Sequence, residues 1–160
     1  MSRSGYSDDY GDDDPWQLIR WRGAVASAIR GKRGQAFLRE LVESLDAMPE
    51  KRLIAHDLQV QHVPDPMVRW LFAGCDGAWT LHLDRQCGVC AIGSVGERRG
   101  VDLAALDPED PDAIAEAFGV AAPLVRELEW MNDEIGAPSP EARWRNVRAW
   151  AVENLKGAAA

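Results

Sequence analysis

Four side chains in the middle of the sequence have the chemistry of a zinc site. Cys75, His82, Cys87 and Cys90 fall within sixteen residues, and Cys87-Gly-Val-Cys90 has a chelating C-x-x-C spacing. The local pattern works against their convergence. With 68–84 read as a β-hairpin, Cys75 sits at its tip, and seven strand residues at ~3.3 Å each carry the chain roughly 20 Å away before Cys87 arrives. Ligand bonds of ~2.3 Å cannot span that distance. The plainer expectation is three thiols that pack as small hydrophobes, with no cofactor. A thioredoxin-like use of Cys87 and Cys90 lacks its βαβ setting.

A second constellation is basic: Arg30-Gly-Lys-Arg-Gly34, with Arg20 and Arg22 upstream. Lys32 and Arg33 lie between glycines, so a phosphate or carboxylate can approach their backbone closely. The P-loop pattern G-x-x-x-x-G-K-[ST] is absent. The competing expectation is a solvated loop, or pairing with acids elsewhere in the chain. A third constellation is a shape. In residues 113–131, Ala115, Gly119 and Val125 stand where a helix-turn-helix places its small residue, its turn glycine and its inward apolar residue. Residues 103–134 hold nine acids and one arginine, however, so DNA phosphates would be repelled before a base was read. His56, His62 and His82 read as surface histidines. G-x-S-x-G, H-E-x-x-H and G-x-G-x-x-G are all missing.

These residues sit on elements that the pattern also predicts. Trp21, Val25, Ala28 and Ile29 make one stripe of a first helix, Trp16 to Ile29. Phe37, Leu38, Leu41, Val42, Leu45 and Met48 make the wide apolar face of a second, Gln35 to Met48, closed by Pro49. Gly31 to Gly34 breaks the chain between them. Val68–Ala73 and Ala78–Asp84 flank Gly74-Cys75-Asp76-Gly77 and predict a hairpin, making 57–86 an insertion in a helical domain. Cys90–Arg99 reads as a helix, with a strand over Val89–Val95 as the alternative. A short helix starts at one of the Asp-Pro pairs of 107–111 and stops at Gly119, and another runs from Ala122 to Asn132. A last helix starts at Ser139-Pro140, burying Trp144, Val147 and Ala151 and exposing Arg143, Arg145 and Arg148. The fold class is therefore mainly α: five or six helices with one small hairpin, spanning 15–157 after an acidic tail over 1–14 that has little to bury.

Length and composition agree. A chain of 160 residues, 46% hydrophobic and with seven tryptophans, can bury one core without staples. The N-terminus lacks the basic-then-apolar order of a signal peptide, and three cysteines do not make a disulfide framework, so the cytoplasm is expected. The apolar runs are too short for a bilayer, so no membrane is expected. Charge is unevenly placed: −4 over residues 1–15, +6 over 16–39 and −10 over 40–160, which together give the net −8.

Three stretches carry a resemblance: IRWRGAVASAIRGKRGQAFLRELVESLDAMPEKRLI (19–54), VCAIGSVGERRGVDLAALDPEDPDAIAEAFGVAAPLVRELEWMNDE (89–134) and EARWRNVRAW (141–150). Over about two-thirds of its length the chain resembles a family of uncharacterised proteins from bacteriophages and prophages of GC-rich proteobacteria. RGKRGQAFLREL and the ending MNDE are its most specific wording. The resemblance implies a phage context and carries no activity and no functional residues. Residues 57–86 depart from it, which makes their cysteine, Cys75, and their histidines, His62 and His82, private to this chain.

Three classes of function follow. The leading expectation is a non-enzymatic interaction protein that binds a host or phage macromolecule, an inhibitor of a host-defence complex being one form. The second is nucleic-acid binding through Arg20, Arg22, Lys32 and Arg33, or through the helix-turn-helix. The third is a zinc module or enzyme built on Cys75, His82, Cys87 and Cys90.

Overall fold

The computed structural model describes residues 15–60 and 88–156. They form six α-helices: α1 Pro15–Arg30, α2 Lys32–Ala47, α3 Ala91–Arg99, α4 Pro111–Phe118, α5 Ala122–Asp133 and α6 Pro140–Asn154. A 3-10 turn covers Leu103–Ala105. Two short strands, β1 Gln59–Val60 and β2 Gly88–Val89, pair antiparallel, with Gln59 opposite Val89 and Val60 opposite Gly88. The chain is mainly α with one small antiparallel sheet, as its pattern predicts. The acidic tail 1–14 and the hairpin strands expected within 68–84 lie outside the described residues.

α2 is the centre of the fold because its apolar face is the widest. Phe37, Leu38, Leu41 and Leu45 are all buried, against α3 on one side and α6 on the other. Burying each contributes roughly 1.5–3 kcal/mol before entropy is counted. Phe37 meets Phe118 of α4 edge to face, with ring centroids 6.1 Å apart.

The joint between α1 and α2 differs from the expected loop. Gly31 alone separates the helices, and α2 restarts at Lys32. Gly34 lies inside α2, and a Cβ there would stand 2.0 Å from the Ala28 carbonyl oxygen. The glycine therefore lets two helix backbones touch, and Lys32 and Arg33 sit on the first turn of a helix. Gln35 locks the joint. Its Nε2 donates to the Ile29 and Asn154 carbonyls, both at 2.9 Å, and its Oε1 accepts from Lys156 N at 2.7 Å.

In the second half, the helix expected over 90–99 forms from Ala91, and of the alternative strand only Val89 pairs in the sheet. Gly93 passes so close to the neighbouring segment that a Cβ would meet the Leu58 carbonyl oxygen at 2.0 Å. Asp110 caps α4, its Oδ1 accepting from the N–H groups of Asp112 and Ala113, and Pro111 takes the first helical position. Ser139 caps α6 in the same way through Ala142 N. α5 packs against α1, α3, α4 and α6 and is the most enclosed helix. None of its twelve residues is exposed. No helix among the described residues is long and apolar enough to cross a membrane.

Candidate functional site

The arginines of this molecule divide by where they point. Glu40, Glu43 and Asp46 stand three residues apart along one ridge of α2, and each meets an arginine from the second half of the chain. Arg99 grips Glu40 with two hydrogen bonds, Nε to Oε1 at 2.9 Å and Nη2 to Oε2 at 2.6 Å. Its Nη1 donates to the Phe118 carbonyl at 2.8 Å, and its guanidinium lies 5.7 Å from the ring centres of both Phe37 and Phe118. Arg98 reaches Glu43 at 2.7 Å, and Arg148 holds both carboxylate oxygens of Asp46. The hydrogen bonds from Arg99 and Arg148 hold the Glu40 and Asp46 carboxyls below their ordinary values.

The basic segment behaves differently. The side chains of Arg20, Arg22, Arg30, Lys32, Arg33 and Arg39 are exposed, and none makes an ion pair among the described residues. Lys32 and Arg33 occupy the first turn of α2, where the helix dipole already presents positive charge and Gly31 gives no side-chain cap. The structure brings Arg30, Lys32 and Arg33 together at one corner and sets Arg20 and Arg22 along α1. Arg39, about two helical turns beyond Lys32, extends the same charge along α2.

The sulfur and imidazole candidates do not assemble among the described residues. Cys75, His82 and Cys87 lie outside them. Cys90 is buried as the N-cap of α3, its Sγ accepting from Gly93 N at 3.3 Å, and burial pushes its thiol up to about 12. A thiol at that value stays protonated and packs as a small hydrophobe. No group of three or more His, Cys, Asp or Glu side chains converges among the described residues. His62 also lies outside them. His56 is exposed, with φ at 62°, and its backbone N–H donates to Asp133 Oδ1 at 3.1 Å. It borders a polar cleft of about 400 Å³ lined also by Glu109, Arg126, Glu129, Asp133 and Glu134.

The helix-turn-helix shape is present as α4, Gly119 and α5, with Gly119 in the left-handed conformation at φ 66°. Its second helix is walled in by four others and presents no exposed residue, so a DNA groove has nothing to meet there.

Two polar residues whose partners the sequence did not reveal hold the second half together. Asn132 is buried, its Oδ1 accepting from Ala91 N at 3.2 Å and its Nδ2 donating to the Ile54 carbonyl at 2.7 Å. Arg143, expected to be exposed, instead donates to the carbonyls of Asn132 at 2.6 Å and Leu53 at 2.9 Å. These bonds tie the ends of α3, α5 and α6 to the 53–58 segment. The only sequence signal for Asn132 was its place in the MNDE wording. Comparison with models of known families, with curated proteins and with solved structures finds no match.

Proposed function

We propose that this is a phage-type accessory protein that acts without catalysis, binding an acidic protein of the host or the phage through the outer surface of α1 and α2. One observation carries the reading. The acids of α2 are taken up by arginines of α3 and α6, whereas the six cations of 20–39 face solvent with no ion pair among the described residues. Cations left outside an internal network cost the fold little and remain available to steer and hold an anionic partner. A compact acidic patch suits the surface better than a long duplex does. Duplex DNA carries one charge per about 1.7 Å, and it would run past the patch onto a remainder of the chain with net charge −10 over residues 40–160. The phage context rests on the family resemblance. Inhibition of a host-defence complex is one activity such binding would give.

A photo-cross-linking residue placed at Arg39 tests this in host cells, with the same residue at Glu116 as control. Adducts to a defined host or phage protein at 39, absent at 116 and lost when Lys32 and Arg33 are changed to Glu, are the expected result. Adducts only at 116, or none at either position, would remove the reading. Nucleic-acid adducts at 39 would favour the second reading, in which the same cations bind phosphates. That reading draws its support from the uncapped first turn of α2.

A further inference from the structure

We infer that the end of α6 is a latch on α1, and that α1 undocks as a unit about Gly31 when the latch is released, while α2 to α6 stay folded. This goes beyond the binding role proposed above and does not depend on it. Burial in α1 is concentrated at one end. Residues 16–24 are all exposed or half-buried, and the buried side chains Val25 and Ile29 lie one turn apart among its last six residues. α2 buries seven residues and α5 six, spread along their lengths. A segment with few buried contacts and a largely solvated backbone is the part of a fold that opens first.

The same end of α1 receives the latch. α6 stops at Asn154, and Leu155 turns the chain to φ −74° and ψ 129°, an extended conformation that carries Lys156 over the α1–α2 joint. Gln35, 6% exposed, bonds to both helices that meet there. Its Nε2 donates to the Ile29 carbonyl of α1 and the Asn154 carbonyl of α6, and its Oε1 accepts from Lys156 N. The Lys156 ammonium donates to the Arg30 carbonyl at 2.7 Å. The last carbonyls of a helix have no partner inside it, and a cation beside them also meets the negative end of the dipole. Lys156 therefore caps α1 from 126 residues further along the chain.

Gly31 supplies the pivot. It alone separates the two helices, with φ −65° and ψ 156°. Rotation at that residue moves α1 as a body and leaves the hydrogen bonds of α2 in place. Without the Gln35 amide or the Lys156 ammonium, the Ile29 or Arg30 carbonyl must find water instead, and water is more available with α1 swung out. The bonds of Asn132 and Arg143 join α3, α5, α6 and the 53–58 segment and do not involve α1, so they persist in the open form.

The test is amide hydrogen exchange of the full chain in native buffer, read by mass spectrometry on peptides from 16–30 and 122–133. In the parent chain 16–30 should exchange faster than 122–133. Gln35→Met, which keeps the side-chain length and removes the amide, should speed exchange over 16–30 about tenfold and leave 122–133 unchanged. Lys156→Met removes only the ammonium and should speed the same peptide about threefold. Lys156→Arg, which keeps a cationic donor, should retain the parent rate. Lys156 is exposed, so its variants carry the test even where Gln35→Met does not fold. Equal rates for the two peptides in the parent would overturn the inference. So would an unchanged rate over 16–30 in Lys156→Met, or an increase that reaches 122–133 to the same extent.

Discussion

α1 and α5 are both amphipathic helices of one small domain, and they are used in opposite ways. α5 is packed on four sides, exposes no residue, and ends in Asn132, whose amide is spent on two backbone partners. α1 packs only its inner stripe and leaves an exposed tryptophan, an exposed isoleucine and three arginines outside. The arginines repeat the contrast. Arg98, Arg99, Arg143 and Arg148 bond to other parts of the chain, whereas Arg20, Arg22, Arg30, Arg33 and Arg39 face solvent. Charged groups of one type thus serve as internal clamps in one region and as an outward surface in the other. Net charge alone, at −8, conceals the division.

The contrast can be broken by mutation, and the inner half should suffer most. Asn132→Ala leaves the buried Ala91 N–H and Ile54 carbonyl without their partner, at a cost of about 2–3 kcal/mol. The midpoint of urea unfolding reads this directly, and a midpoint that does not move would contradict the role given to Asn132. Arg99→Ala removes a bidentate carboxylate pair, a bond to the Phe118 carbonyl and the contact with two rings. A loss of about 1–2 kcal/mol is expected, discounted because the pair is partly exposed.

A smaller effect sharpens the comparison through pH. Glu40 and Asp46 have folded values held below their ordinary 4.5 and 3.8, by Arg99 and Arg148 respectively. A depressed carboxyl stabilises the fold fully above its ordinary value and loses that contribution as pH falls through its lowered folded value. Acid should therefore weaken the protein below about pH 5, by no more than ~0.2–1 kcal/mol per pair at these exposures. An Arg99→Ala, Arg148→Ala double variant should show a flatter acid limb in the same titration, and an unchanged limb would argue that the pairs contribute nothing. Smallest of all, Lys32→Ala or Arg39→Ala should leave the unfolding free energy within about 0.5 kcal/mol.

Much of the fold was legible because its signals are local. The i, i+4 spacing of α2 and the Asp110-Pro111 and Ser139-Pro140 starts all marked their helices within a few residues. Gly119 and Gly100 closed theirs in left-handed turns. What the sequence hid depends on contacts between distant residues. Gly34 reads as a loop glycine until Ala28 is seen beside it. Gln35 and Asn132 look like surface amides until carbonyls from other elements fill their sites. Arg143 follows the helical period of an exposed residue, yet its length lets it reach back to Leu53. The basic segment was visible as composition, but only the structure separates it from arginines already engaged elsewhere.

The division between inward and outward cations is tested most directly by one variant read two ways. Arg22, Arg33 and Arg39 are changed together to Glu, and the protein is titrated with a labelled poly-glutamate probe at low salt and unfolded in urea. The prediction is that the wild-type chain binds the probe, that the variant does not, and that the unfolding midpoint is unchanged. A variant that binds as the parent does, or that loses stability as Arg99→Ala would, places those side chains inside the fold's own network and contradicts the claim.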